Sequence, residues 1–410
     1  MPMPVTQPPL PPALRSTAQG ITAILLLAST AAHAAEFAEP PHDYWNRKPA
    51  DRFARLNPDI ESGKFAIDAS SEKALLASLL KALDIDDSTQ LMVFSATSLQ
   101  SGIVNPRNPR ALYFNEDTFV GFIPGGRLEI ASFDPDAGMV FYISDRSRVA
   151  DRPAFTRSTR CMNCHADTQS RHLPGLVISS VGVTWDGSTQ ETYRYDEIGH
   201  HVPLAERFGG WHLTTTGSSL ATSHANKVGH LIPGGFKSDP NPPGKYFPLA
   251  NYPRPTSDLL PHLVMEHAAG FTNRVTEAIY QLREKPDDQT LVDKFARELT
   301  RYLLFAGEAS LPAGGIKGDP DFIGDFLKRS EGKPSAAFRQ FDLKSRIFRH
   351  RISFMLDSSV YRALPTPVRR SIESLLADVA AGNSPWKDLS VDPDGRKALL
   401  SYLLPVPAGP

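Results

Sequence analysis

The sequence predicts an α+β fold, and three observations carry that reading. Between Leu91 and Ile143 short apolar runs alternate with turn residues. From Thr256 to the end, apolar residues recur at helical spacing. A stretch rich in Pro and Gly separates the two characters. Together they describe an N-terminal antiparallel β meander with a helix, a central segment, and a helical C-terminal half.

Taken in order, residues 35–66 read as irregular, with aromatic pegs at Phe37, Tyr44 and Trp45. Ser70-Ser71-Glu72 opens a helix, because a hydroxyl before the first turn caps orphan N–H groups; its apolar stripe runs Leu75, Leu76, Leu79, Leu80 and Leu83. Strands are expected at Leu91–Ser95, Ala111–Phe114, Phe119–Ile123, Leu128–Phe133 and Met139–Ile143. Asn115-Glu116-Asp117, Pro124-Gly125-Gly126 and Asp134-Pro135-Asp136-Ala137-Gly138 supply the turns between them. Leu176–Val183, Tyr193–Tyr195 and Trp211–Thr216 are also β-like, and residues 232–256 read as a long loop. Helices are expected at Leu259–Leu282, Leu291–Phe305, Phe322–Lys328, Leu343–Leu356, Val368–Ala380 and Gly395–Leu403, with Asp287-Asp288 capping the second. The expected units are residues 1–34, 35–150, 151–255 and 256–410.

Charge is balanced, 44 Lys and Arg against 45 Asp and Glu. Interspersed signs of this kind point away from nucleic acid or an anionic membrane as partner. Residues 1–20 carry only Arg15. The apolar core Ile21, Ala23, Ile24, Leu25, Leu26, Leu27, Ala28 follows, and then Ala32-His33-Ala34, an A-x-A cleavage site. The core is too short to span a bilayer, and no later run is long enough. The reading is a cleaved signal peptide, residues 1–34, and a periplasmic or secreted product with no integral membrane segment after cleavage.

Only two cysteines occur, and both lie in Cys161-Met162-Asn163-Cys164-His165. C-x-x-C-H is the attachment motif of c-type haem. One helical turn puts two thiols within reach of the two porphyrin vinyl groups, and the next residue offers an imidazole to the iron. The rival is a redox dithiol, which usually ends a strand and opens a helix; Ala154–Arg160 is no apolar strand. Structural zinc would require further cysteines. Haem c attachment also demands export, which the N-terminus independently predicts.

The motif resembles that of c-type cytochromes, and the wider pattern is similar to a broad group of exported, single-haem cytochrome c-related proteins. The stretches that carry it are Asn105-Pro106-Arg107 to Tyr113-Phe114-Asn115, the motif with Leu173-Pro174-Gly175, Arg207-Phe208-Gly209-Gly210-Trp211, His224-Ala225-Asn226, Met265-Glu266-His267 and Phe341–Arg346. The resemblance implies thioethers at Cys161 and Cys164 and a proximal iron bond from His165. Small cytochromes of this kind place an axial Met some tens of residues after the motif. Here only Met265 and Met355 follow Met162, far downstream, so the sixth ligand stays open.

Nine histidines follow His165. His224 ranks first as sixth ligand, because a polar loop can bring its ring over a haem face. His267 ranks second, but it lies on the stripe Leu260, Val264, His267, Phe271, Val275, where a satisfied core residue is the commoner outcome. Met265 follows, and an empty position is a further option. His172 is too near His165 to cross the ring, and His200 and His201 in a turn read as solvated. Arg157, Arg160 and Arg171 flank the motif and could hold haem propionates, Arg160 first because it adjoins Cys161.

No H-E-x-x-H, G-x-S-x-G or P-loop is present. Two functions follow from the motif: an electron carrier exchanging with a redox partner protein or a small donor or acceptor, or a peroxidase-like haem enzyme or gas sensor with an open sixth position. In the second, His224 or Glu266 would serve as the distal acid–base group. The chain is far larger than one haem requires, which keeps the second alive, together with a third reading in which haem sits beside a non-redox function of the large helical part.

Overall fold

The computed structural model describes residues 37–145, 153–194, 198–215 and 223–404. The fold is α+β. The meander is β1 Leu91–Val93, β2 Arg110–Phe114, β3 Thr118–Phe122, β4 Glu129–Asp134 and β5 Gly138–Ser144, each antiparallel to the next. β6 (Phe155–Arg157) extends it past β5, so a short strand does precede the motif although Ala154–Arg160 shows no apolar run; pairing with β5 rather than an apolar pattern makes it one. After β7 (Val181–Val183) and β8 (Thr189–Thr192), which form a separate pair, β9 (Trp211–His212) joins on the other side of β1. The seven-stranded order is therefore β6-β5-β4-β3-β2-β1-β9, and the central region shares its sheet with the N-terminal one.

Two helices precede the sheet. α1 (Arg52–Ser62) is capped by Asp51, whose carboxylate accepts from Phe53 and Ala54 N–H. It corrects the irregular reading of residues 35–66. The signal was hidden by Pro58, which removes one helical hydrogen bond and reads as a breaker, yet sits inside this helix. Packing compensates: Phe53 meets Tyr142 and Phe155 at ring distances of 4.8 and 5.0 Å, and Tyr142 Oη donates to Asp51 at 2.6 Å. α2 (Glu72–Ala82) forms as its Ser71 cap and leucine stripe dictate, with Leu75, Leu76, Leu79 and Leu80 buried.

The proposed loop 232–256 contains a strand: β10 (Lys227–Ile232) pairs with β11 (Gly235–Pro240) around Pro233-Gly234. Conversely, of the expected strand Leu176–Val183 only β7 is a strand.

The C-terminal half follows the helical periodicity: α4 (Leu259–Glu284), α5 (Gln289–Leu303, capped by Asp288), α6 (Pro320–Lys328), α7 (Ser359–Arg362), α8 (Thr366–Ala380) and α9 (Pro393–Leu403), α3 being the short turn Met162–His165. The expected helix Leu343–Leu356 does not form. Asp342 accepts from Ser345 and Arg346 N–H, a local turn that competes with helix, and Phe341 bridges Phe348 across it. α4 is buried along most of its length and covers one end of the sheet, where its Tyr280 Oη donates to Ala137 O at 3.0 Å. Among the described residues no helix is long and apolar enough to cross a membrane.

Candidate haem-attachment site

The site begins where the sheet ends. β6 leaves β5 with Ser158 N–H donating to Phe141 O at 2.8 Å. The chain then turns into α3. Cys161 caps that turn, and its carbonyl accepts from both Cys164 N–H (3.1 Å) and His165 N–H (3.0 Å). Both thiols and the imidazole thus belong to one helical turn. Met162 is buried and pins the turn to the core, whereas Cys161 is half-buried and Cys164 exposed; both thiols are free. Burial pushes the Cys161 thiol up, the Ser158 hydrogen bond working against it.

His165 is oriented at both ends. Gly175 N–H donates to the His165 carbonyl at 2.9 Å, and the His165 Nδ1–H donates back to the Gly175 carbonyl at 3.0 Å. The ring lies against Phe141 of β5, centroids 4.3 Å apart. With Nδ1 occupied, the tautomer is set and Nε2 carries the lone pair that can bind a metal. Burial pushes the imidazole pKa down to about 4, the Gly175 bond opposing, so the ring is neutral at physiological pH.

Gly175 is held from α4. Asn273 Oδ1 accepts from Leu176 N–H at 2.8 Å, and Asn273 Nδ2 donates to Gln169 and Leu176 carbonyls, both at 2.9 Å. A Cβ at Gly175 would stand 2.6 Å from Asn273 Oδ1, so this close approach needs glycine. Pro174 O accepts from Met139 N–H at 3.0 Å and docks the same loop on β5. Sequence reasoning missed Gly175, Asn273 and Phe141 as positioning residues. Leu173-Pro174-Gly175 had stood out only as part of a pattern.

The flanking arginines separate clearly. Arg157 donates to the carbonyls of Tyr44, Trp45 and Arg47 and lies over the Tyr44 ring at 4.4 Å, so it fastens the N-terminal segment. Arg171 pairs with Glu277 of α4. Arg160 is exposed, and its guanidinium has no partner among the described residues.

The sixth-ligand candidates are dispersed. His224 is half-buried and stacks flat on Tyr193, centroids 3.5 Å apart and planes within 6°; burial lowers its pKa. Among the described residues it shares no hydrogen bond or ring contact with His165. His267 is a core residue, bonded to His200 and Ser353. Met265 and Met355 are buried in the core. His200, read as solvated, is instead 1% exposed, its ring between Tyr302 and Phe305. The turn at Gly199 is packed against α4 and α5 rather than facing solvent, which sequence spacing could not reveal.

Glu266 is withdrawn from distal chemistry as well. It is buried with Arg194 and Arg207 on its two oxygens. Burial alone would raise its pKa, but the guanidiniums hold it below the ordinary range. Among the described residues no cluster of three or more His, Cys, Asp or Glu is arranged to hold a bare metal ion. The donor set fits a covalent macrocycle: two thiols on one turn and one imidazole with its second nitrogen already fixed. Compared with known families, curated proteins and solved structures, the chain matches none.

Proposed function

We propose that this chain is an exported c-type cytochrome-like protein that carries one haem c on Cys161 and Cys164 and transfers electrons. His165 is its proximal ligand and His224 the leading sixth ligand. The observation that carries the reading is the reciprocal pair between His165 and Gly175 within a C-x-x-C-H turn. A surface dithiol needs no fixed imidazole tautomer, whereas a proximal histidine does. When bound, haem supplies an iron that cycles between Fe(III) and Fe(II). The chain's own part is to fix the imidazole, hold its Nδ1 proton on Gly175 and pack Phe141 against the ring.

The test is the full chain, produced with a haem c maturation system and exported. Haem that survives denaturing electrophoresis is expected in the wild type and absent from Cys161→Ala/Cys164→Ala. A reduced, low-spin spectrum indifferent to carbon monoxide supports the carrier, while rapid carbon monoxide binding supports the enzyme or sensor. Denaturation-resistant haem in the double variant would overturn the attachment reading.

A further inference from the structure

The sheet is not evenly covered. Cross-strand register places Arg110 and Leu112 of β2, Gly121 of β3, Glu129 and Ala131 of β4, and Phe141 and Ile143 of β5 on one face. Arg110, Leu112, Glu129, Ala131 and Ile143 are all half-buried, whereas their alternates on the opposite face, Tyr113, Val120, Ile130 and Tyr142, are buried. The far end of the half-open face lies under α4, where Phe114 and Val264 line one small cavity. The near end is where His165 rests on Phe141. From β5 to β2 this open half spans three strand spacings, about 14 Å, the scale of a porphyrin with its side chains.

One charged pair crosses that surface. Arg110 Nη1 donates to Glu129 Oε2 at 2.9 Å over Gly121, where any Cβ would crowd Glu129. Glu129 is otherwise satisfied by Ser98 Oγ (2.7 Å) and Gln100 Nε2 (2.9 Å) on its other oxygen. Arg110 is not. Among the described residues its Nε is buried without a partner, and Nη2 makes no hydrogen bond. The Nε–Nη2 edge, the fork that takes a carboxylate in two parallel bonds, is therefore unused. The charges of Arg110 and Glu129 both reach His165 and Cys161.

We propose that this half-open sheet face is the seat of the haem ring and that Arg110, rather than Arg160, holds a haem propionate. Leu112, Ala131 and Ile143 then give the macrocycle an apolar floor. The inference rests on the haem reading above and adds where the ring lies and what grips its acid edge.

The experiment measures the reduction equilibrium of the haem-loaded full chain from pH 5 to 8. In the wild type a propionate held by Arg110 stays ionised, and the equilibrium is nearly independent of pH. In Arg110→Gln the propionate titrates within this range. Reduction becomes harder overall and pH-dependent, approaching roughly tenfold per pH unit if proton uptake is tightly coupled. Arg110→Lys restores most of the flat profile. Arg110→Gln/Glu129→Gln keeps a neutral hydrogen-bonded pair on the sheet, so it serves if the single variant folds poorly, and it must show the same new pH dependence. Ala131→Trp, filling the floor, should leave the thioethers intact but weaken circular dichroism in the Soret band. A haem-loaded Arg110→Gln and double variant with the wild-type profile overturn this inference alone, as does transfer of the effect to Arg160→Gln. A wild-type chain without covalent haem overturns the functional reading, and this one with it.

Discussion

His267 and His200 meet through their Nδ1 atoms, 2.8 Å apart, so one ring must donate to the other. The neighbours decide which. His200 Nε2 lies 3.0 Å from the Ala306 carbonyl and must carry its proton there, which leaves His200 Nδ1 as acceptor. His267 therefore donates through Nδ1, and its Nε2 accepts from Ser353 Oγ at 2.6 Å. Both rings are neutral, in keeping with the depression of both pKa values by burial. No lone pair on either ring is left for iron.

His267→Ala is accordingly a stability variant. It removes packing against Tyr302 and Phe305 and leaves the Ser353 hydroxyl proton and His200 Nδ1 without their partner. A loss of about 3 kcal/mol is expected in denaturant unfolding. The visible spectrum of the folded haem-loaded protein should not change. A change of spin state in this variant would restore His267 as the axial ligand.

Burial also predicts acid sensitivity. His200, His212 and His262 are each pushed down to about 3 from an ordinary 6.5. The unfolded chain takes up these protons near pH 6.5, while the folded chain resists until near pH 3. Protons are therefore bound preferentially by the unfolded state, and stability, complete above pH 6.5, is lost as pH falls toward 3. Each group contributes up to about 1.4 kcal/mol per pH unit in that window. The urea midpoint should fall steeply from pH 6.5 to 4.5, and less steeply in His262→Gln. A midpoint that rises on acidification would contradict this.

On the proposed haem reading, Asn273 is the positioning residue whose effect should reach the iron. Asn273→Ala removes one donor–acceptor clamp from Gln169 and Leu176, at about 2 kcal/mol of stability. It also frees the Gly175 carbonyl to move. A weaker Nδ1–H bond makes the His165 imidazole less basic and favours Fe(III) less, so the reduction potential should rise. A structural role alone would lower stability and leave the potential fixed, so potentiometry separates the two.

How much of this was legible follows from what each signal depends on. Meander strands and capped helices announce themselves locally, through alternation, turn residues and the Ser71 and Asp288 caps. The C-x-x-C-H turn is equally local. The His165–Gly175 pair spans ten residues and the Asn273 clamp about a hundred, and no periodicity encodes either. The same limit misplaced His200, whose turn is buried by helices far along the chain. It also left Arg110 unnoticed, because that residue reaches the motif's surroundings only through the register of β2, β3 and β4.

The last prediction concerns His224. The buried partners of His267, His200 and Glu266 and the core positions of Met265 and Met355 commit those side chains elsewhere, whereas His224 is only half-buried. Stacking on Tyr193 uses the face of its ring, whereas a metal binds through an edge nitrogen, so the two are compatible. Burial lowers its pKa, which keeps the imidazole neutral and able to ligate near neutral pH. Two imidazoles generally give a lower potential than imidazole with thioether, because the thioether favours Fe(II). His224→Ala should therefore turn a low-spin spectrum high-spin and open the iron to carbon monoxide, with little change in unfolding midpoint because the ring is half-exposed. His224→Met should return the low-spin state at a higher potential. If the wild type is already high-spin and His224→Ala changes nothing, the sixth position is open, and the enzyme or sensor reading replaces the carrier.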